Sequence, residues 1–176
     1  MKSLSVSIIL LALSGSVFAS DWATSDGSCY GKGNLSAGGG FSLVYLGVFG
    51  TADYGIHDAI SAGVGMGYNG KDKDGFRVNF FSIYARGAFH PFNLKVLAEK
   101  VSIRNKLDPY GGIAVGFSGQ WYSNHDASVS IPDHDPWSPI REFLGVKFYP
   151  TNNLYIMAEE GGGLSVFNFG IGYKFW

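Results

Sequence analysis

Charge is scarce in this chain. Lys, Arg, Asp and Glu make up 15% of its 176 residues, against about 25% in an ordinary soluble domain. Neither sign is in excess, with 13 Lys and Arg against 14 Asp and Glu. A nucleic-acid binder needs a basic surface, so that class is excluded and no nucleic-acid partner is expected. Cysteine is reduced to Cys29, which rules out an intramolecular disulfide framework. Proline is sparse, at six residues, and glycine has no period of three, so a collagen-like rod is excluded. Disorder needs low hydrophobicity and high net charge, and the apolar share here is 46% at a net charge of −1. Beyond residue 19 no apolar run approaches the roughly 20 residues that a transmembrane helix requires. If the chain past that point enters a membrane, it does so as strands.

What the sequence does hold is glycine, at 26 residues, and aromatics, at 16%. It also holds an export-like start. Met1-Lys2 is positive, Val6–Leu13 is apolar except for Ser7, and small residues lead to Val17-Phe18-Ala19. That is the pattern of a secretory signal peptide with small residues at −3 and −1. Cleavage after Ala19 is expected, giving a signal peptide over 1–19 and a single domain over 20–176. Cys29 lies ten residues past Ala19, too far to be a lipoprotein cysteine, and reads as an incidental thiol.

From about residue 34 onward the pattern has a period of two, which puts alternate residues on opposite faces of a strand. Phe167, Phe169, Ile171, Tyr173 and Phe175 share one face, against Asn168, Gly170, Gly172 and Lys174. Ile113, Val115, Phe117 and Trp121 oppose Gly112, Ala114, Gly116, Ser118 and Gln120. Ile60, Ala62, Val64, Met66 and Tyr68 oppose Ser61, Gly63, Gly65, Gly67 and Asn69. A soluble sheet would carry Lys and Glu on its wet face. Here the second face is Gly, Ala, Ser or amide, as suits the cramped interior of a narrow barrel whose apolar face meets lipid.

Strands are predicted at 32–40, 42–52, 58–68, 76–89, 110–121, 139–149, 153–160 and 164–176. Turns are predicted at Asp53–His57, Asn69–Gly75, Pro150–Asn153 and Gly161–Gly163. The strand at 32–40 is the least patterned, because Gly33, Gly38, Gly39 and Gly40 interrupt it. Single-chain bacterial barrels have even strand numbers, with eight the smallest. At about 9–11 residues per spanning strand, the chain is too short for a porin-sized channel. The strand at 76–89 switches parity, with Phe76, Val78 and Phe80 followed by Phe81, Ile83, Ala85 and Phe89. A β-bulge near Phe80-Phe81 is one reading; an inward Phe80 or Phe81 is the other. Residues 90–108 read as a small cap, with Leu94, Val96, Leu97 and Val101 as a short helical stripe.

The run from Phe167 to Phe175 resembles the C-terminal strand of Gram-negative outer-membrane proteins, which end in Phe with Tyr two residues earlier. Here Tyr173 and Phe175 take those places, with Trp176 one residue beyond. The stretch Arg141 to Glu159 is similar to the penultimate hairpin of OmpX/OmpA-type barrels, with an aromatic strand end and the Thr151-Asn152-Asn153 turn. The resemblance implies an eight-stranded antiparallel transmembrane up-and-down β-barrel in the cell outer membrane, both termini periplasmic. It also implies that outer-membrane insertion machinery reads the chain through Phe167, Phe169, Ile171, Tyr173 and Phe175.

On the inward parity lie Arg86, Arg141, Lys147 and Glu159, with Tyr84 and Tyr155 nearby. Buried charges must be paired, so a lumen polar network is predicted. Residues 122–138 hold Asp126, Asp133, Asp135, His125 and His134 and read as a solvated acidic loop. Metal binding there is the less favoured reading, and Trp137 reads as an interface anchor. Among the histidines, His57, His90, His125 and His134, none has an evident Ser partner for nucleophilic chemistry, and Gly-x-Ser-x-Gly is absent. The expectation is a monomeric, non-enzymatic outer-membrane barrel in contact with lipid, without cofactor, catalytic site or bound metal. The alternatives are a narrow channel for small solutes or ions and a lipid-modifying enzyme.

Overall fold

The computed structural model describes residues 22–43, 47–73, 76–123, 140–161 and 167–176. The chain forms eight strands: β1 (Leu35–Ser42), β2 (Gly47–His57), β3 (Ile60–Lys73), β4 (Phe76–Phe89), β5 (Leu107–Ser123), β6 (Ile140–Phe148), β7 (Leu154–Gly161) and β8 (Phe167–Lys174). Each pairs antiparallel with its sequence neighbour, and β1 pairs with β8 to close the barrel. Closure leaves no sheet edge to template aggregation.

Alternation decides which face is which. Val48, Val64, Met66, Ile83, Val115, Phe117, Leu144 and Ile171 are all exposed, with Phe117 at 83%. The opposite parity is buried. Water would make such an outer face costly at roughly 25 cal/mol per Å² of apolar surface, whereas hydrocarbon matches it. No helix among the described residues is long and apolar enough to cross a membrane.

The strand predicted at 32–40 is β1, two to three residues further on. Two other boundaries need correction. The turn predicted at Asp53–His57 is strand: β2 runs through His57, and the reversal is made by Asp58-Ala59. Asp53 and Gly55 continue the inward parity while Tyr54 and Ile56 face out, and the register against β3 shifts between Gly55 and His57 just before the reversal. Likewise β3 extends to Lys73, through most of the predicted turn at Asn69–Gly75. No bulge interrupts β4. Its register against β3 is unbroken from Ile60↔Phe89 to Lys73↔Phe76, which leaves Phe80, opposite Asn69, on the inward side.

The segment from Trp22 and the C-terminal Trp176 lie at one end of the barrel, where a small cap closes the mouth. It combines the N-terminal segment from Trp22 to Asn34 with the β4–β5 connection. That connection holds a 3-10 turn (Pro91–Asn93), a one-turn helix α1 (Lys95–Ala98) and a second 3-10 turn (Ser102–Asn105). An isolated bridge joins Ala23 to Leu94. The predicted signal peptide, most of the acidic loop, including Trp137, and Gly162-Gly163 of the predicted turn lie outside the described residues.

Candidate functional site in the lumen

Three tyrosines floor the interior, and each has a glycine directly across the strand ladder. Tyr84 faces Gly65, Tyr110 faces Gly145, and Tyr155 faces Gly172. A Cβ on any of these glycines would fall within 2.5 Å of the facing ring. The rings therefore lie flat against the wall, and the missing side chains are the space they occupy. This is where part of the glycine excess goes.

Flat rings leave the axis to charge. Arg86 on β4 reaches Glu159 on β7 in a two-pronged contact, Nη1 to Oε1 at 3.3 Å and Nη2 to Oε2 at 2.7 Å. Its Nε sits 3.2 Å from Asp53 Oδ1 on β2, an ion pair without hydrogen-bond alignment. Lys147 on β6 donates to Asp53 Oδ2 at 3.2 Å. The Tyr110 hydroxyl donates to Glu159 Oε2 at 3.0 Å. Each cation also lies over rings. The Arg86 guanidinium carbon is 4.1 Å from the Phe143 centroid, and Lys147 Nζ is 5.0 Å from that of Tyr155. Two cations and two anions thus form a neutral quartet spanning β2, β4, β6 and β7. All four are nearly inaccessible, which burial permits only when charge is matched and hydrogen-bonded.

Arg86, Lys147 and Glu159, selected on parity, come together here. Arg141 does not. It shares the inward parity on β6 but pairs with Ala114 nearer the opposite end and is half-buried. Asp53, placed in a turn on sequence grounds, completes the quartet in its stead. The signal was available: Asp53 sits two residues before Gly55 and two after Thr51, in the same alternation. Gly63, opposite Asp53, makes room for it, since a Cβ there would lie 2.4 Å from Asp53 Oδ1.

A second cluster lies at the capped end. His90 Nδ1 is 2.8 Å from Asp108 Oδ1, and its Nε2 is 3.1 Å from Ser61 Oγ. A carboxylate only accepts, so Nδ1 carries the proton and a neutral ring accepts from the Ser61 hydroxyl at Nε2. This corrects the expectation that no histidine has a serine partner: β3 and β4 pair Ser61 with Ala88, two residues before His90. Asp108, His90 and Ser61 stand in the order of a nucleophilic relay. All three are buried, however, and the Tyr30 ring stacks on His90 at 3.6 Å between centroids, 7° from parallel. The relay holds the imidazole flat as a seat for Tyr30.

The closed eight-stranded barrel has counterparts of similar fold among solved structures. OprG, an outer membrane protein from Pseudomonas aeruginosa, superposes with a TM-score of 0.55 at 12% identity, over 83% of this chain and 97% of that one. The fold is that of an outer-membrane barrel. Ail, the attachment invasion locus protein of Yersinia pestis, aligns at 14% identity and a TM-score of 0.47, over 83% of this chain and 99% of its own. The N-terminal β-barrel domain of Pseudomonas aeruginosa OprF gives 18% and 0.44, over 82% and 99%. No protein-family model matches the sequence, and no curated protein matches it.

The last predicted set, Phe167, Phe169, Ile171, Tyr173 and Phe175, forms one outward row on and just beyond β8, all exposed. Backbone pairing continues past the strand: Phe175 N donates to Leu35 O at 2.8 Å, and Leu35 N donates to Trp176 O at 3.2 Å. The extra terminal residue is thereby tied to β1.

Proposed function

We propose that this chain is an integral outer-membrane barrel with a closed lumen and a structural or surface-interaction role, without catalysis. Its capped end faces the periplasm and its other end the exterior. The observation that carries this reading is the quartet of Arg86, Glu159, Asp53 and Lys147, which ties four strands together across the axis. An eight-stranded interior is just wide enough for side chains to fill. Around the quartet Tyr110, Phe143, Tyr155 and Met157 are buried to within 3% of complete, which supports a filled interior among the described residues.

Planar-bilayer recording of the refolded protein tests this. Wild type is expected to show no discrete openings. A steady unitary conductance from wild type would replace the closed-barrel reading with that of a narrow channel. Among the described residues, the buried relay of Ser61, His90 and Asp108 is the feature that favours an enzyme. Its serine is 2% exposed, which supports a positional role.

A further inference from the structure

We propose that residues 22–33 are a plug that undocks as a unit from the capped end while the eight strands stay closed, and that the stack of Tyr30 on His90 is its latch. The proposal holds whether or not the lumen conducts.

The segment is attached differently from everything else in the molecule. It contributes no strand to the barrel, only the single bridge between Ala23 and Leu94. Its attachments are short polar contacts, three ring stacks, the third being Trp22 on Phe89, and the packing of Cys29 against Tyr149, Tyr155 and Met157. Thr24 N donates to Asn93 O, Lys95 N to Trp22 O and Cys29 N to Arg104 O. Side chains clamp its carbonyls: Arg104 Nη1 donates to Thr24 O, Asn93 Nδ2 to Tyr30 O and Lys174 Nζ to Cys29 O. Trp22 stacks on His57 at 4.8 Å, and Tyr30 stacks on His90. The twelve residues carry just four apolar side chains, of which Ala23, Cys29 and Tyr30 are buried and Trp22 is half-buried.

Segments with few buried apolar contacts and peripheral hydrogen bonds open at the low end of a protein's stability range. Because the barrel closes between β1 and β8, lifting this segment breaks no strand ladder. The hinge is also visible. Gly33 has φ +83° with nothing within 4 Å of its absent side chain, a conformation glycine adopts without penalty. Just beyond it, the exchange of Gly33 N to Gly55 O and Gly55 N to Asn34 O pins the chain to β2.

The latch is specific because its seat is. Asp108 and Ser61 fix both ring nitrogens of His90, so the imidazole presents one face, and Tyr30 covers it. With Tyr30 lifted, His90, Ser61 and Asp108 meet the periplasmic solvent, while the charge quartet deeper in the lumen remains as a second closure.

Cys29, the sole cysteine, lies buried in the plug and serves as a native probe. The experiment measures maleimide labelling of the detergent-folded full chain, with the unboiled gel band reporting the intact barrel. Wild type is expected to label slowly. Tyr30→Ala is expected to label at least tenfold faster with its folded band retained, and Tyr30→Phe, which keeps the stack and loses the hydroxyl's 3.4 Å hydrogen bond to His57 O, to label within about threefold of the wild-type rate. Wild-type labelling as fast as the unfolded chain would overturn the proposal. So would Tyr30→Ala labelling at the wild-type rate, or only in step with loss of the folded band. Hydrogen exchange on wild type decides independently of any variant. The amides of Thr24 and Cys29 are expected to exchange before those of the strands, and exchange together with the strands would refute undocking.

Discussion

Tyr155 and Gly172 show how much a single missing side chain does in this lumen. A Cβ on Gly172 would lie 2.1 Å from Tyr155 Cζ, and a ring flat against the wall has nowhere to tilt. Gly172→Ala is therefore expected to lower stability by about 1–3 kcal/mol, the usual cost of overpacking. Gly119→Ala, outward with nothing within 4 Å, should leave it unchanged. The urea midpoint for loss of the folded gel band measures both. That glycine occupies the inward parity is legible from alternation alone. That each ring lies over a particular glycine is not, because it depends on the register between strands. Cys29 carries a second residue-scale consequence. Burial, reinforced by Asp108, pushes its thiol from 9.0 up to about 12. A group whose value is raised on docking supports the docked form fully below its free value and loses that support as pH rises through the docked one. Plug protection is expected to weaken between pH 9 and about 12. Cys29→Ala should flatten part of that dependence in hydrogen exchange. Tyr30, raised in the same direction by burial, accounts for the remainder.

At the scale of the element, β2 explains both a success and an omission. Arg86, Lys147 and Glu159 were recoverable from parity because each follows its strand's alternation, in β4 the one set by Phe81, Ile83 and Ala85. Asp53 was hidden because Asp-Tyr-Gly resembles turn chemistry, and local composition outweighed an alternation that continued to Ile56. Tertiary pairing with β3 settles it: Asp53 faces Gly63 within a continuous ladder. The omission has an energetic counterpart. With Asp53 included the quartet is neutral, and removing one member leaves a buried charge unmatched. Glu159→Ala is expected to destabilise by about 3–5 kcal/mol, the cost of breaking a buried pair. Arg86→Met with Glu159→Leu should cost less than the two single changes added together. Urea unfolding of all three variants in one double-mutant cycle gives the coupling. Additive losses would show that Asp53 alone suffices to hold Arg86.

Across the whole molecule, β8 combines an outward aromatic row with the closing seam, and experiment can separate the two. Phe167, Phe169, Ile171 and Tyr173 lie on the lipid-facing side of β8, and Phe175 continues the row beyond it, where its backbone still bonds to Leu35. β8 also makes the closing seam, pairing Ser36↔Lys174 through Ser42↔Asn168. A defect in this strand can therefore act through closure of the finished barrel or through recognition of the unfolded chain before assembly. The two differ in where they appear. The Phe175 side chain is about half exposed and touches Tyr173 and Trp176 rings on the rim, so truncating it removes little packing from the seam. If assembly machinery reads this row, Phe175→Ala should reduce the amount of folded barrel recovered from cells severalfold. Its refolding into detergent and its urea midpoint should stay within about 0.5 kcal/mol of wild type, as for other surface substitutions. Equal losses in cells and in detergent would instead assign the row to barrel stability alone. Ser42→Ala supplies the converse. It deletes the buried 2.6 Å hydrogen bond to Asn168 across the seam without touching the outward row. It should lower the urea midpoint in detergent, and in cells only in proportion to that loss.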